Sequence, residues 1–269
     1  MNKTLDMEVN DRYIFTLEFV EEIAVFLKSF RNENILKIEK KGEINLVTEA
    51  DKGAEEKILK NIKSKFPQDP ILCEETGIIA SQGQLKWIID PLDGTTNYAH
   101  GLPLYGIAIA LEDITTSQIL MGVVALPDLG DVYHAKRGNG AFKNNKPIHV
   151  SHTNQLINAL CCTGFPYNQE SIIDDIMFRL QQIMLLSRGV RRTGAATLDL
   201  CWLAEGMFDG FWEDFLQPWD MAAPSIIIEE AGGKVSAYNG DCFTPYVKNI
   251  VASNSILHET LVQSLKIKS

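Results

Sequence analysis

No apolar run in this chain approaches the roughly 18 residues that cross a bilayer, so no membrane-spanning helix is expected. Basic residues are in deficit: 25 Lys and Arg stand against 35 Asp and Glu, a formal charge of −10. Nucleic-acid binding needs a basic footprint, and none is expected here. The five cysteines, Cys73, Cys161, Cys162, Cys201 and Cys242, show no C-x-x-C spacing. An odd, unpatterned set supports neither a disulfide framework nor a zinc site. The opening "MNKTLDMEVND" has neither the basic nor the apolar region of a secretory signal, so a reducing, cytoplasmic compartment is the expectation. Internal repeats and low-complexity tracts are also missing. What remains, 45% apolar and 22% charged residues, is the composition of an ordinary folded domain.

Periodicity supplies the elements. Ile14, Leu17, Val20, Ala24 and Leu27 predict a helix over 13–30, and Ala54, Ile58 and Ile62 a second one ending before Pro67. "KKGE", at 40–43, reads as a turn between them. The runs "PILCEE", "LKWIID", "LYGIAIAL", "ILMGVVAL" and "DVYHAKRG" read as strands bounded by Gly, Pro, Asp or Asn. The second half alternates: a strand at "NALCCTG", a helix over 172–187, a helix over 195–205, a strand at "FDGFWE", then "WDMAAPSIIIEEAGG" as a helix stopped by Gly232. "KVSAY", "NIVASN" and a helix over 255–266 complete an α/β chain of stacked layers. Cys161, Cys162, Trp87 and Trp202 read as packing residues, and Arg191 and Arg192 as surface or interface residues.

The chemistry concentrates in "KWIIDPLDGTTNYAHG". Asp90 emerges from the carboxyl end of a strand, where α/β sheets place ligands. A proline-containing turn, which brings Cα atoms under about 7 Å, would let Asp90 and Asp93 converge on one cation; a solvated Asx-type turn is the alternative. Gly94, Thr95 and Thr96 suit an anion at a helix start, or an ordinary threonine N-cap. Glu74 and Glu75 follow "PILC" either as a solvated turn or as one metal ligand plus a neighbour. Asp51, three residues after Thr48, and Asp220, in "PWDMAAP", each fit helix capping as well as catalysis. An EF-hand loop from Asp90 would need a carboxylate at Gly101. The D-x-D of aspartate-nucleophile phosphatases, the G-x-x-x-x-G-K-[ST] loop and a complete dinucleotide fingerprint are all missing.

Taken together, "DPLDGTTNY", "CEETG", "LVTEAD" and "PWDMAAPSIIIEEAGG" resemble the inositol monophosphatase family of metal-dependent phosphatases, over residues 40 to 254. The resemblance implies an αβαβα sandwich and a homodimer. It implies a single catalytic domain, 1–269, with a metal- and phosphate-binding lobe over about 1–145 and a substrate-side lobe over about 146–269. It further implies that Glu74, Asp90 and the Leu92 carbonyl hold one Mg²⁺, and that Asp90, Asp93 and Asp220 hold a second. A third, weaker ion would sit near Glu74. Gly94 and Thr95 would offer N–H groups to phosphate, while Thr95 with Asp51, and Glu74 through its metal, would position and activate the water. Glu213, Asp93, Gly194 and Ala196 would meet the leaving alcohol.

The residue chemistry agrees with this. An all-oxygen ligand set suits a hard cation, and the five histidines show no metal spacing. Two metals roughly 3.5–4 Å apart can stabilise the attacking and departing oxygens of an in-line displacement. They also explain how an acidic protein would hold an anionic substrate. Inositol 1-phosphate is the leading expectation. Fructose 1,6-bisphosphate, NADP(H), histidinol phosphate and 3′-phosphoadenosine phosphate are the alternatives, and a regulatory or scaffold protein with this fold is a different class of reading.

Lithium tests the resemblance. Li⁺ inhibits enzymes of this family, and millimolar LiCl is expected to slow phosphate release here where NaCl does not; equal effects of the two salts would reduce the inhibition to ionic strength.

Overall fold

The strands that read as continuous apolar runs are covered on both faces, which is why they lack a polar side. In the computed structural model, which describes residues 3–32, 38–41, 45–166 and 170–267, two sheets and seven helices are stacked around three cores. The chain begins with α1 (Lys3–Asn32), β1 (Ile38–Lys41), β2 (Asn45–Thr48), α2 (Glu49–Lys65), β3 (Ile71–Cys73), β4 (Gly77–Ile79) and β5 (Leu85–Asp93). Next come α3 (Thr95–Ala99), β6 (Gly106–Asp113), β7 (Gln118–Leu126), β8 (Asp131–Lys136), β9 (Ala141–Lys143) and β10 (Lys146–Pro147). The second half holds β11 (Leu160–Thr163), α4 (Ile173–Leu186), β12 (Gly189–Arg191), α5 (Ala196–Ala204) and β13 (Gly210–Asp214). It closes with α6 (Pro218–Glu230), β14 (Lys234–Ser236), β15 (Asn249–Ser253) and α7 (His258–Leu265).

The larger sheet runs β10-β9-β8-β7-β6-β5-β3-β4 and the smaller β12-β11-β13-β15-β14, while β1 and β2 pair separately. Period-two alternation divides each central strand between two cores. On one face of the larger sheet, Trp87, Ile89, Ile107 and Ile109 pack with Val20, Ile23, Ile58 and Ile62 of α1 and α2. On its other face, Ile88, Ala108, Ala110 and Val124 meet Leu198, Ala222, Ala223 and Ile226 of α5 and α6, which also cover Phe211, Ile250 and Ala252 of the smaller sheet. A third core joins that sheet to α4 and α7 through Cys161, Trp212, Val251, Ile183, Leu261 and Leu265. The order of layers is therefore αβαβα, as the resemblance implies.

Several local expectations are corrected. The first helix starts at Lys3, ten residues before 13, and its buried seam runs Val9, Val20, Ile23 and Leu27, leaving Ile14 exposed. The last helix begins at His258 because Ser255 has φ 65°, a conformation that cannot sit in a right-handed helix. β4 forms a hairpin with β3 that the sequence does not signal. Pro224 lies inside α6; lacking an N–H, it leaves the Asp220 carbonyl without its helical donor. Residues 42 and 43 of the expected "KKGE" turn, and the Thr48 side chain of the expected capping box, lie outside the described residues. Cys161, Cys162 and Trp87 are buried and Trp202 packs against the middle core, as expected.

Small residues let α6 approach the sheet. A Cβ on Gly122 of β7 would stand 2.4 Å from the Ala223 carbonyl oxygen and 2.8 Å from its Cα. Gly122→Ala is therefore expected to destabilise the fold by about 1–3 kcal/mol, read from urea unfolding midpoints. Stability unchanged by this substitution would contradict the close packing of α6.

Candidate active site

In a regular strand, residues three apart point to opposite faces. Asp90 and Asp93 escape this because β5 carries one extra residue. Asp90 pairs with Ala108 and Asp93 with Gly106, three steps on β5 against two on β6. This bulge replaces the turn expected from the sequence and brings both carboxylates to the α5–α6 face. Pro91, with no N–H for the ladder, suits a bulge. The Leu92 N–H donates to Asp90 Oδ1 at 2.9 Å, so the local Asx-type bond exists, but Asp90 is buried and not solvated.

The chain then leaves the sheet through Gly94, at φ 81°, which N-caps α3. An added Cβ there would lie 3.0 Å from both Ala195 Cβ and Leu104 O. Thr95 is the first helical residue and not the cap; its hydroxyl donates to the Leu92 carbonyl at 3.0 Å. Asp220 is likewise not an N-cap. It sits in the first turn of α6 and accepts the Gln217 N–H at 2.7 Å.

Two acidic clusters result. Asp90, Asp93 and Asp220 each bring an oxygen within 4.8 Å of the others, and Asp51, Glu74 and Glu75 do the same beside them. Burial, then the charges of Glu74, Asp93, Asp220 and Asp51, push Asp90 well above the usual carboxylate range. Burial and Asp93 push Asp220 up in the same way. Burial raises Asp93 too, opposed by the hydroxyl and N–H of Thr197.

A cavity of about 420 Å³ opens onto this group, lined by Glu74, Asp90, Leu92, Asp93, Gly94, Thr95, Glu213 and Asp220 among others, with no lysine or arginine in its wall among the described residues. Glu213, near the end of β13, is only 7% exposed. Burial, then Asp220, Asp199 and Asp93, raise its carboxyl well above the usual range. Asp51, Gly194 and Ala196 are not part of the cavity wall. Gly194, at φ 90°, forms the turn into α5, and Ala196 begins that helix. Arg191 and Arg192 are exposed; the Arg192 guanidinium lies 5.8 Å from the ring centre of Phe165, a wall residue.

Three supporting residues escape a reading of the sequence. Glu55, one turn after Asp51 on α2, accepts the N–H groups of Glu75 and Thr76, both at 3.0 Å, and so fixes the turn carrying Glu74. Asn97 donates to Leu104 O at 2.7 Å and to Thr193 O at 2.9 Å, tying α3 to the turn before α5. Asp199 is buried, with Oδ1 lacking a hydrogen-bond partner among the described residues, and burial raises its carboxyl well above the usual range. Only the Asp51–Glu55 spacing leaves a trace in the sequence, two acids on one helical face.

The model of the Inositol monophosphatase family matches residues 13–269. The chain belongs to the inositol monophosphatase family. Among its relatives is the inositol-1-monophosphatase of Synechocystis sp., 41% identical over 235 residues, covering 86% of this chain and 80% of the relative. The Nus factor SuhB of Vibrio cholerae is 37% identical over 242 residues, 89% of each chain. The solved inositol monophosphatase of Anabaena (Nostoc) sp. superposes with a TM-score of 0.87 at 35% identity, covering 96% of both chains. Inositol monophosphatase family members are metal-dependent phosphatases, and no helix among the described residues is long and apolar enough to cross a membrane.

The residues present fit a metal. Buried carboxylates without a cation in the wall would repel and would lose hydration, and oxygen ligands at this density suit a hard divalent ion. A carboxyl raised on folding contributes stability that is complete below its ordinary range and is lost as the pH climbs through the raised value; a bound cation reverses that loss. Asp90→Asn is therefore expected to lower phosphatase activity by at least about 10²-fold. At neutral pH it should leave the metal-free thermal midpoint equal or higher and shrink the gain on adding a divalent cation. Near-normal turnover in the folded variant would remove Asp90 from the clamp.

Proposed function

We propose that this protein is a Mg²⁺-dependent phosphomonoesterase that hydrolyses inositol 1-phosphate to myo-inositol and phosphate. The observation that carries the reading is the meeting, in one cavity, of three converging aspartates with the buried Glu213, with no lysine or arginine among the described wall residues. In this reading Asp90, Asp93 and Asp220 would hold one Mg²⁺, Glu74, Asp90 and the Leu92 carbonyl would hold another, and Glu74 would lie near a third, weaker ion. The Leu92 oxygen accepts one hydrogen bond, from Thr95, and keeps a lone pair for the ion. Bound Mg²⁺ supplies charge compensation for the phosphoryl and departing oxygens.

The remaining roles belong to the chain itself. Gly94 and Thr95 direct N–H groups from the start of α3 to the phosphate. With its proton committed to Leu92 O, the Thr95 hydroxyl has only lone pairs to offer. It therefore accepts a hydrogen from the attacking water and turns the water's own lone pair toward phosphorus. Asp51, beside Glu74, is the second acceptor for that water. Asp93 and Glu213 face the alcohol, and Glu213 accepts hydrogen bonds from its vicinal hydroxyls; a second phosphate at that position would be repelled. Four buried free thiols support a cytoplasmic setting. The exposed Met177, Met184 and Leu185 of α4 support a homodimer. The Nus factor relative supports a second, regulatory reading.

A phosphate-release panel with Mg²⁺ tests this. Inositol 1-phosphate is expected to give a higher kcat/KM than fructose 1,6-bisphosphate, NADP⁺, histidinol phosphate or 3′-phosphoadenosine phosphate. Glu213→Gln should raise KM for inositol 1-phosphate by about 10-fold, the loss of one charge-assisted hydrogen bond, and spare an aryl phosphate. Parallel losses on both would make Glu213 a scaffold residue. No metal-dependent release from any substrate would favour the regulatory reading.

A further inference from the structure

Asp93 is held by a residue that belongs neither to the cavity wall nor to the two acidic clusters. Thr197, in the first turn of α5, is fully buried. Its N–H donates to Asp93 Oδ2 at 2.7 Å and its hydroxyl donates to the same oxygen at 2.6 Å. A carboxylate oxygen has two in-plane lone pairs, so these two donors saturate Oδ2.

The room for the hydroxyl is built into the sheet. Gly106, the strand partner of Asp93, faces it across β5 and β6. A Cβ at Gly106 would stand 2.9 Å from Thr197 Oγ1 and 3.1 Å from Leu126 Cδ2. The side chain missing at position 106 is the space that the Thr197 hydroxyl fills. α5 and β5 therefore meet through a buried hydroxyl–carboxylate contact where an apolar contact would have sufficed for packing.

We infer that Thr197 is a positioning residue for the metal clamp: its hydroxyl locks the Asp93 carboxylate so that Oδ2 is spent on α5 and Oδ1 is the oxygen given to the cation. This rests on the metal-clamp reading of Asp90, Asp93 and Asp220. The backbone N–H groups of Ala196 and Gly94 also act on this carboxylate, and the hydroxyl adds a second donor on Oδ2 beside the Thr197 N–H, occupying the lone pair that this oxygen would otherwise keep for another partner. Preorganised partners behind a ligand are characteristic of tight metal sites.

The test uses the full chain as wild type, Thr197→Val, which keeps shape and N–H but not the hydroxyl, Thr197→Ala, and Thr197→Ser. Mg²⁺ affinity is read from the dependence of the thermal midpoint on Mg²⁺ concentration, alongside the Mg²⁺ requirement of phosphate release. Thr197→Val and Thr197→Ala are expected to weaken Mg²⁺ binding by about 10-fold, and Thr197→Ser to return it to within about twofold of wild type. A purely structural threonine would lower the metal-free midpoint of the Val or Ala variant while leaving its Mg²⁺ dependence that of wild type. That result overturns the inference and leaves the clamp intact. A wild-type midpoint indifferent to Mg²⁺ overturns the clamp and this inference with it.

Discussion

Like charges gathered out of water are the constraint on which this structure depends. Asp90, Asp93 and Asp220 bring oxygens within 4.8 Å of one another, and nothing in their own chemistry favours that approach. Their positions are imposed by apolar packing on either side. β5 is fixed between β3 and β6, with Trp87 and Ile89 in one core and Ile88 in the next. α6 is pressed onto the sheet where Gly122 admits Ala223. The hydrophobic contribution, about 25 cal/mol for each Å² buried, is spread over many side chains and can outweigh a local repulsion. The site is thus held in a state of readiness by residues that never meet a ligand.

The candidate site also divides along the layers. The aspartate cluster comes from the larger sheet and from a helix of the middle layer, whereas Glu213 stands at the end of β13 in the smaller sheet. Asn97 and Thr197 join these parts by hydrogen bonds across the seam. In the proposed reading, the aspartates that would hold metal and Glu213, which would meet the alcohol, therefore rest on different supports. Changes in the smaller sheet could then alter the surroundings of Glu213 while the aspartates keep their frame. Relatives of similar fold that carry different functional names are consistent with such a division.

Much of this was legible in the sequence, for reasons that can be named. Long apolar runs at "YGIAIAL" and "ILMGVVAL" reported strands covered twice, and the glycine after Asp93 reported a turn into a helix. Other features were not legible because they depend on contacts distant in the chain. Glu55 matters only once α2 is packed beside the β3–β4 turn. Thr197 reads as a helix residue until Asp93, over a hundred positions earlier, is brought against it. Asp90 and Asp93 were recognisable as a pair, but the turn assigned to them was wrong, since proline in the sequence does not distinguish a turn from a bulge. Ile14 fitted the helical spacing and yet faces outward, because the longer helix buries a seam through Val9 that the shorter one did not include. Gly194 and Ala196 came from resemblance alone, and they are not among the residues that line the cavity.

The bulge in β5 gives chain length at this point a meaning separate from residue identity. Because three residues on β5 answer two on β6, a one-residue deletion between Asp90 and Asp93 would restore an even ladder. Two apart in a regular strand, both carboxylates would still point to the α5–α6 face, but the added bend and twist of the bulge would be gone, and with them the approach of the Leu92 N–H to Asp90 Oδ1 and of the Leu92 carbonyl to the Thr95 hydroxyl. Composition, charge and hydropathy would hardly change, and every other side chain named here would still be present. Along this short segment the fold tolerates chemical replacement more readily than an insertion or deletion, so the count of residues is itself part of the site.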